Sequence, residues 1–166
     1  MGLATHLGPW LLGTVKNTTG TTAGTVRNTG AATVSQSNTL SYTDTTAKTL
    51  FVLPAGSMIF NFLIDTTAAF NAGTNNTITI QTSGGTSLAT VTATSANITV
   101  GRATTTYAIT NANIASWVNV GSTDLIVQAV FAGTGTAATT GTATIHCLYA
   151  VRLSDGTYAP TSFTGP

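Results

Sequence analysis

Residues 50–65, LFVLPAGSMIFNFLID, constrain the fold more than any other stretch of the chain. They form its most apolar run, and Pro54-Ala55-Gly56 breaks it with a turn. Beyond the turn, Met58, Phe60, Phe62 and Ile64 recur at period two, with Asn61 and Asp65 between them. That spacing predicts a half-buried β-strand with those four apolar side chains on one face. Ile59 and Leu63 share the second face, so it too packs in part against another strand layer or another subunit.

The same period recurs downstream. Residues 124–131 place Leu125, Val127, Ala129 and Phe131 on one face, and residues 142–153 do the same with Ile145, Cys147, Tyr149 and Val151. Further strands are expected over 34–42, 50–53, 57–65, 77–81 (Ile78, Ile80), 88–94, 98–100 and 103–109, with Phe70 anchoring the loop 66–75. Ser83-Gly84-Gly85 and Asp155-Gly156 mark turns, and 133–141 reads as a flexible connection. One helical turn is expected near 111–117, where an Asn cap precedes Ile114 and Trp117 at i and i+3. Eight to ten short strands separated by turn signals predict an all-β protein, a jelly roll or β-sandwich.

Composition supports this and narrows the function. Of 166 residues 39 are Thr, none is Glu, and only nine carry a formal charge. Threonine is β-branched and favours pleated surfaces, whereas the usual helix formers are scarce. A surface of hydroxyls, amides and small apolar groups suits permanent assembly, because few charges must be desolvated when it is covered. The five basic residues are scattered, which argues against a nucleic-acid partner. No apolar run is long enough to predict a membrane span, and the N-terminus lacks the pattern of a signal peptide.

Residues 1–37 differ from the rest and predict an extended N-terminal arm or hairpin, with the sandwich domain over 38–166. Gly13-Thr14-Val15-Lys16-Asn17-Thr18 recurs as Gly24-Thr25-Val26-Arg27-Asn28-Thr29. The arm either lies on a partner, offering one basic residue per unit (Lys16 and Arg27), or forms a loose hairpin at the domain edge. Leu7, Trp10, Leu11 and Leu12 precede it, and Trp10 needs a burial site in its own domain or a neighbour.

Catalytic and metal motifs are weak. Gly133-Thr134-Gly135-Thr136-Ala137-Ala138 fits a loose dinucleotide fingerprint, but a strand pattern follows it where a helix is required. His6 and His146 are distant, and His146 and Cys147 point to opposite faces of one strand, so no zinc site is expected. Cys147 reads as a small buried hydrophobe. Asp44 and Asp155 read as solvated or capping residues, Asp65-Thr66-Thr67 departs from the Asp-Thr-Gly of aspartic proteases, and no Gly-x-Ser-x-Gly elbow occurs. Sequons at Asn17, Asn75 and Asn97 are no more than chance supplies in so Thr-rich a chain. The Thr-x-Thr pairs at 77/79, 90/92/94 and 142/144 read as strand coats. No enzyme, cofactor, metal or small-molecule substrate is expected.

Three segments resemble one family of proteins: THLGPWLLGTVKNTTGTTAGTVRNTG at 5–30, LFVLPAGSMIFNFLIDTTAAFNAG at 50–73, and NIASWVNVGSTDLIVQAVF with GTATIHCLYAV at 113–131 and 141–151. In pattern and composition the chain resembles head decoration, or cement, proteins of tailed bacteriophages, of the kind found in cyanophages and marine phages. The resemblance implies a jelly-roll domain made in the host cytoplasm and carried on the virion. It further implies a homotrimer seated on the outer capsid surface against the major capsid protein. Trp10, Lys16 and Arg27 are the candidate capsid or subunit contacts. The alternative is a tail-fibre or adhesin-like domain that binds a host-surface glycan through exposed Tyr107, Trp117, Tyr149 or Tyr158.

Overall fold

The computed structural model describes residues 31–110 and 114–153. Nine strands and one short helix follow in chain order: β1 Ala31–Ser41, β2 Lys48–Leu53, β3 Met58–Ala68, β4 Asn75–Thr82, β5 Ser87–Thr94, β6 Gly101–Arg102, β7 Thr106–Tyr107, α1 Ile114–Val118, β8 Leu125–Thr134 and β9 Thr142–Leu153. The strands lie in two antiparallel sheets, ordered β1-β9-β3-β6 and β2-β8-β4-β5-β7. β1 pairs with β9, β2 with β8, β3 with β6, and β4 with β5. The first half of the chain is thus matched antiparallel by the second, and the paired ribbon winds across both sheets. This is the jelly-roll arrangement of two Greek keys.

Alternation places the core between the sheets. Leu40, Phe62, Ile64, Ile145 and Cys147 from one sheet meet Phe51, Leu53, Ile78, Ile80, Leu88 and Val127 from the other, all almost fully buried. Each such large side chain contributes roughly 1.5–3 kcal/mol on leaving water. Phe70 closes one end of the core, with its ring 4.8 Å from that of Phe131. It also lies against Gly141, where an added Cβ would come within 2.6 Å of the ring. The glycine is required there by close approach.

The faces of β8 and β9 agree with the sequence expectation, as do the buried Ile78 and Ile80, the anchoring Phe70 and the helical turn carrying Trp117. β3 does not agree. Its register against β9 shifts between Ile59 and Asn61, leaving Phe60 as the extra residue of a bulge. A bulge flips side-chain parity. Ile59 therefore points inward before it, Phe62 and Ile64 point inward after it, and Phe60 is 47% exposed. The expected single face of Met58, Phe60, Phe62 and Ile64 is divided at this point.

Three shorter segments also differ from expectation. Residues 98–100 make a single bridge, Phe70 to Ile98, instead of a strand. Only Thr106 and Tyr107 of 103–109 are strand. The connection expected over 133–141 begins later, because β8 runs to Thr134 and Asn71 then ties the loop by accepting the N–H groups of Thr139 and Thr140. β1 starts at Ala31, so residues 31–37 lie within the sandwich. Trp10, Lys16, Arg27, the repeat at 13–29 and Tyr158 fall outside the described residues.

Candidate interaction surfaces

The two outer faces of the sandwich differ in chemistry. On the five-stranded sheet, cross-strand pairing sets Thr77 opposite Thr92 and Ala132, Thr79 opposite Thr90 and Val130, Gln81 opposite Gln128, and Val52 opposite Ile126. Thr90 is followed by Thr106 on β7 and Gln128 by Thr49 on β2. The described strands put no charged side chain on this face. Lys48, the cation of β2, sits opposite inward-facing Ala129. Its Nζ bonds the Thr39 carbonyl and Asp44 at the edge between the sheets, both at 2.9 Å. The Thr-x-Thr pairs of β4 and β5, separate in sequence, become one patch through register.

The four-stranded sheet carries the charge. Its outer face holds a row running Ser37, His146, Asp65 and Arg102, one residue from each strand. Ser37 Oγ lies 2.7 Å from His146 Nδ1, and His146 Nε2 lies 3.4 Å from Asp65 Oδ2. Arg102 grips the Asp65 carboxylate through Nε and Nη2, the latter at 2.8 Å. The guanidinium hydrogen bond holds Asp65 below the ordinary carboxylate range against partial desolvation. The order Ser-His-Asp invites a hydrolase reading, but the site lacks the other parts. Strand N–H groups lie in the sheet plane, perpendicular to these side chains, so they cannot converge on an oxyanion above the face. The row is a cross-strand polar ladder that pins register.

Asp44 has the capping role expected of it. Burial raises its pKa, but the Ser41 N–H at 2.8 Å and the Lys48 ammonium outweigh that and leave it below the ordinary range. Cys147 is buried in the core as expected, and burial pushes its thiol up to about 12. Among the described residues, no group of three or more His, Cys, Asp or Glu converges as metal ligands would.

An apolar groove of about 410 Å³ opens where the β3 bulge meets β7 and α1. Met58, Phe60, Ile109 and Val118 line it, with Trp117 as its floor. Trp117 is held edge-on between Phe62 and Tyr107, with ring centroids 5.6 and 5.5 Å away. Tyr107 points from the inner side of β7 across to the other sheet, where its hydroxyl bonds Asn61 Oδ1 and lies 3.2 Å from the Phe62 carbonyl. Of the aromatics named for a glycan site that lie among the described residues, only Tyr107 is appreciably exposed, at 38%. Trp117 and Tyr149 are buried, and the Tyr149 hydroxyl accepts from Gln36 Nε2 at 2.6 Å. Of the groove's polar groups, Asn61 Oδ1 and the Tyr107 hydroxyl engage each other, and Trp117 Nε1 is buried without a hydrogen-bond partner.

Sequence reasoning missed Phe60, Ile109 and Val118 as surface groups. The bulge that exposes Phe60 has no signature in the alternation of residues 58–64.

No family model and no curated protein sequence matches the chain. Two solved structures are similar to it in fold. A chain of the acid-stable capsid structure of Helicobacter pylori bacteriophage KHP30 matches with a TM-score of 0.49 and 9% identity, over 75% of this chain and 92% of that one. A chain of the cyanophage Pam1 capsid asymmetric unit matches with a TM-score of 0.47 and 14% identity, over 74% and 86%.

Proposed function

We propose that this chain is a non-enzymatic structural component of a bacteriophage virion, and within that class a capsid decoration protein. In this reading it sits on the outer capsid surface as a homotrimer and stabilises contacts between major capsid proteins. One observation carries the proposal: the outer face of the five-stranded sheet is threonine-lined and free of charged side chains among the described residues. Covering such a face removes water from small apolar and hydroxyl groups without stranding an ion, the main penalty that opposes burial of an ordinary surface. The opposite face, with its Ser37-His146-Asp65-Arg102 ladder, is suited to remain in solvent.

The pattern likeness of residues 5–30, 50–73, 113–131 and 141–151 to phage head decoration proteins supports the same reading. Lys16 and Arg27 are the proposed polar contacts of the N-terminal segment with the shell. Each copy adds a modest interfacial gain, and shell symmetry repeats it.

Binding of purified protein to capsids stripped of it tests the proposal. Thr79→Lys or Val130→Lys places an ammonium in the centre of the neutral face and is expected to abolish binding while leaving the circular dichroism spectrum unchanged. Ser35→Lys, on the opposite sheet, is expected to bind as the parent does. Equal binding by all three variants would overturn the assignment of this face.

A further inference from the structure

The apolar groove between β3, β7 and α1 belongs neither to the neutral face nor to the polar ladder. Its occupant can be argued from chain geometry. Thr33 pairs with Ala150, and Ala150 pairs on its other side with Met58, so the start of β1 and the groove end of β3 share one row of the sheet. The chain therefore enters β1 about 10 Å from the groove, at two strand spacings. The 18 residues between Leu12 and Ala31 can reach up to about 60 Å when extended, far more than is needed.

Residues 1–30 hold one concentrated apolar cluster, Leu7, Trp10, Leu11 and Leu12. The groove falls within the size range of ordinary ligand pockets, and its walls offer Phe60, Ile109 and Val118 side chains. The residues at 154–166 leave from the same end, since Leu153 pairs with Ala31, but their aromatics, Tyr158 and Phe163, are isolated among polar residues. A short tether on the same chain gives an effective concentration in the millimolar range, which favours the chain's own segment over one from another copy.

We infer that the groove receives the Trp10-Leu11-Leu12 segment of the same chain, with the indole of Trp10 seated against Met58 and Phe60. The groove is then an intramolecular clasp that holds the N-terminal segment on the sandwich.

Met58 is the only methionine besides Met1, so a methyl-labelled methionine sample gives a specific reporter. In the full chain, Trp10→Ala is expected to move the Met58 methyl resonance by removing the indole ring current, and Trp10→Phe to restore most of the shift. Phe60→Asp, at an exposed bulge position, is expected to make Trp10 quenchable by acrylamide while buried Trp117 stays protected. An unmoved Met58 resonance in Trp10→Ala would overturn the inference. So would a resonance shift that appears only as protein concentration is raised, because the segment would then come from another copy.

Discussion

Asn76 provides the sharpest test of how the sandwich is held together. It is the second residue of β4, it is fully buried, and its side-chain amide is fully engaged. Its Oδ1 accepts the Ala72 N–H at 2.9 Å, and its Nδ2 donates to the carbonyls of Ala72 at 3.1 Å and Ala96 at 2.9 Å. One side chain therefore satisfies the loop after β3 and the turn after β5. Asn76→Leu keeps the γ-branched shape at a somewhat larger volume and removes all three bonds. The Ala96 carbonyl belongs to an exposed residue and can turn to water. The N–H and carbonyl of Ala72 belong to a residue only 4% exposed, and each costs about 1–3 kcal/mol when left unpaired. The expected loss is about 3 kcal/mol, a large fraction of the roughly 5–15 kcal/mol that holds a domain folded. With a urea slope of about 1.5 kcal/mol/M, the unfolding midpoint falls by about 2 M. The comparison must be made at one protomer concentration, since association shifts the apparent midpoint. Asn76→Asp separates hydrogen bonding from shape. A carboxylate cannot donate to the two carbonyls and is buried as an anion, so its pKa is raised. That variant is least stable at neutral pH and recovers as the pH falls and the group protonates; the Leu variant shows no such recovery. A midpoint within about 0.5 M of the parent for Asn76→Leu would refute the reasoning.

Other outcomes follow from the same structure. Gly141→Ala drives a Cβ into the Phe70 ring at a φ of +150° and is expected to cost about 2–4 kcal/mol, read by the same urea titration. Asp44 and Asp65 both have pKa values below the ordinary carboxylate value in the fold. The unfolded chain therefore binds protons first, so the stability they contribute is present above about pH 4 and is lost as the pH falls through their folded values. Asp65→Asn is expected to flatten that acid limb of the stability profile, and an unchanged limb would count against the ladder. Cys147, with its thiol pushed up to about 12 by burial, is expected to resist alkylation at pH 8 in the native protein and to react promptly in urea. Labelling of the native protein at the rate of the unfolded chain would show that β9 opens readily.

The sequence made the strand class plain because most strands bury one face, so β4, β8 and β9 carry an unbroken period of two. β3 misled because a bulge at Phe60 changes which parity points inward, and a bulge adds no distinctive residue. β6 was invisible because Gly101 and Arg102 are too few to show a period, and the partner of Arg102, Asp65, is remote in sequence. The neutral face was half legible. Thr77, Thr79, Thr90 and Thr92 were recognisable as outward-facing coats, but only the β4–β5 and β4–β8 registers assemble them with Val130 and Ala132 into one surface. The ladder could not be read at all, since residues 37, 65, 102 and 146 meet only after the jelly roll has wound. Low charge content was the strongest functional signal, and the fold sets the ladder on one sheet and, among the described residues, a face free of charged side chains on the other.

On the function proposed above, this chain is a repeated component of a virus shell. Quantitative mass spectrometry of purified particles, against the major coat protein, tests it most directly. A decoration role requires hundreds of copies per particle, in simple ratio to the coat protein. A few copies to a few tens would contradict the decoration role and place the chain at a vertex or tail, and absence from particles would contradict the virion role altogether.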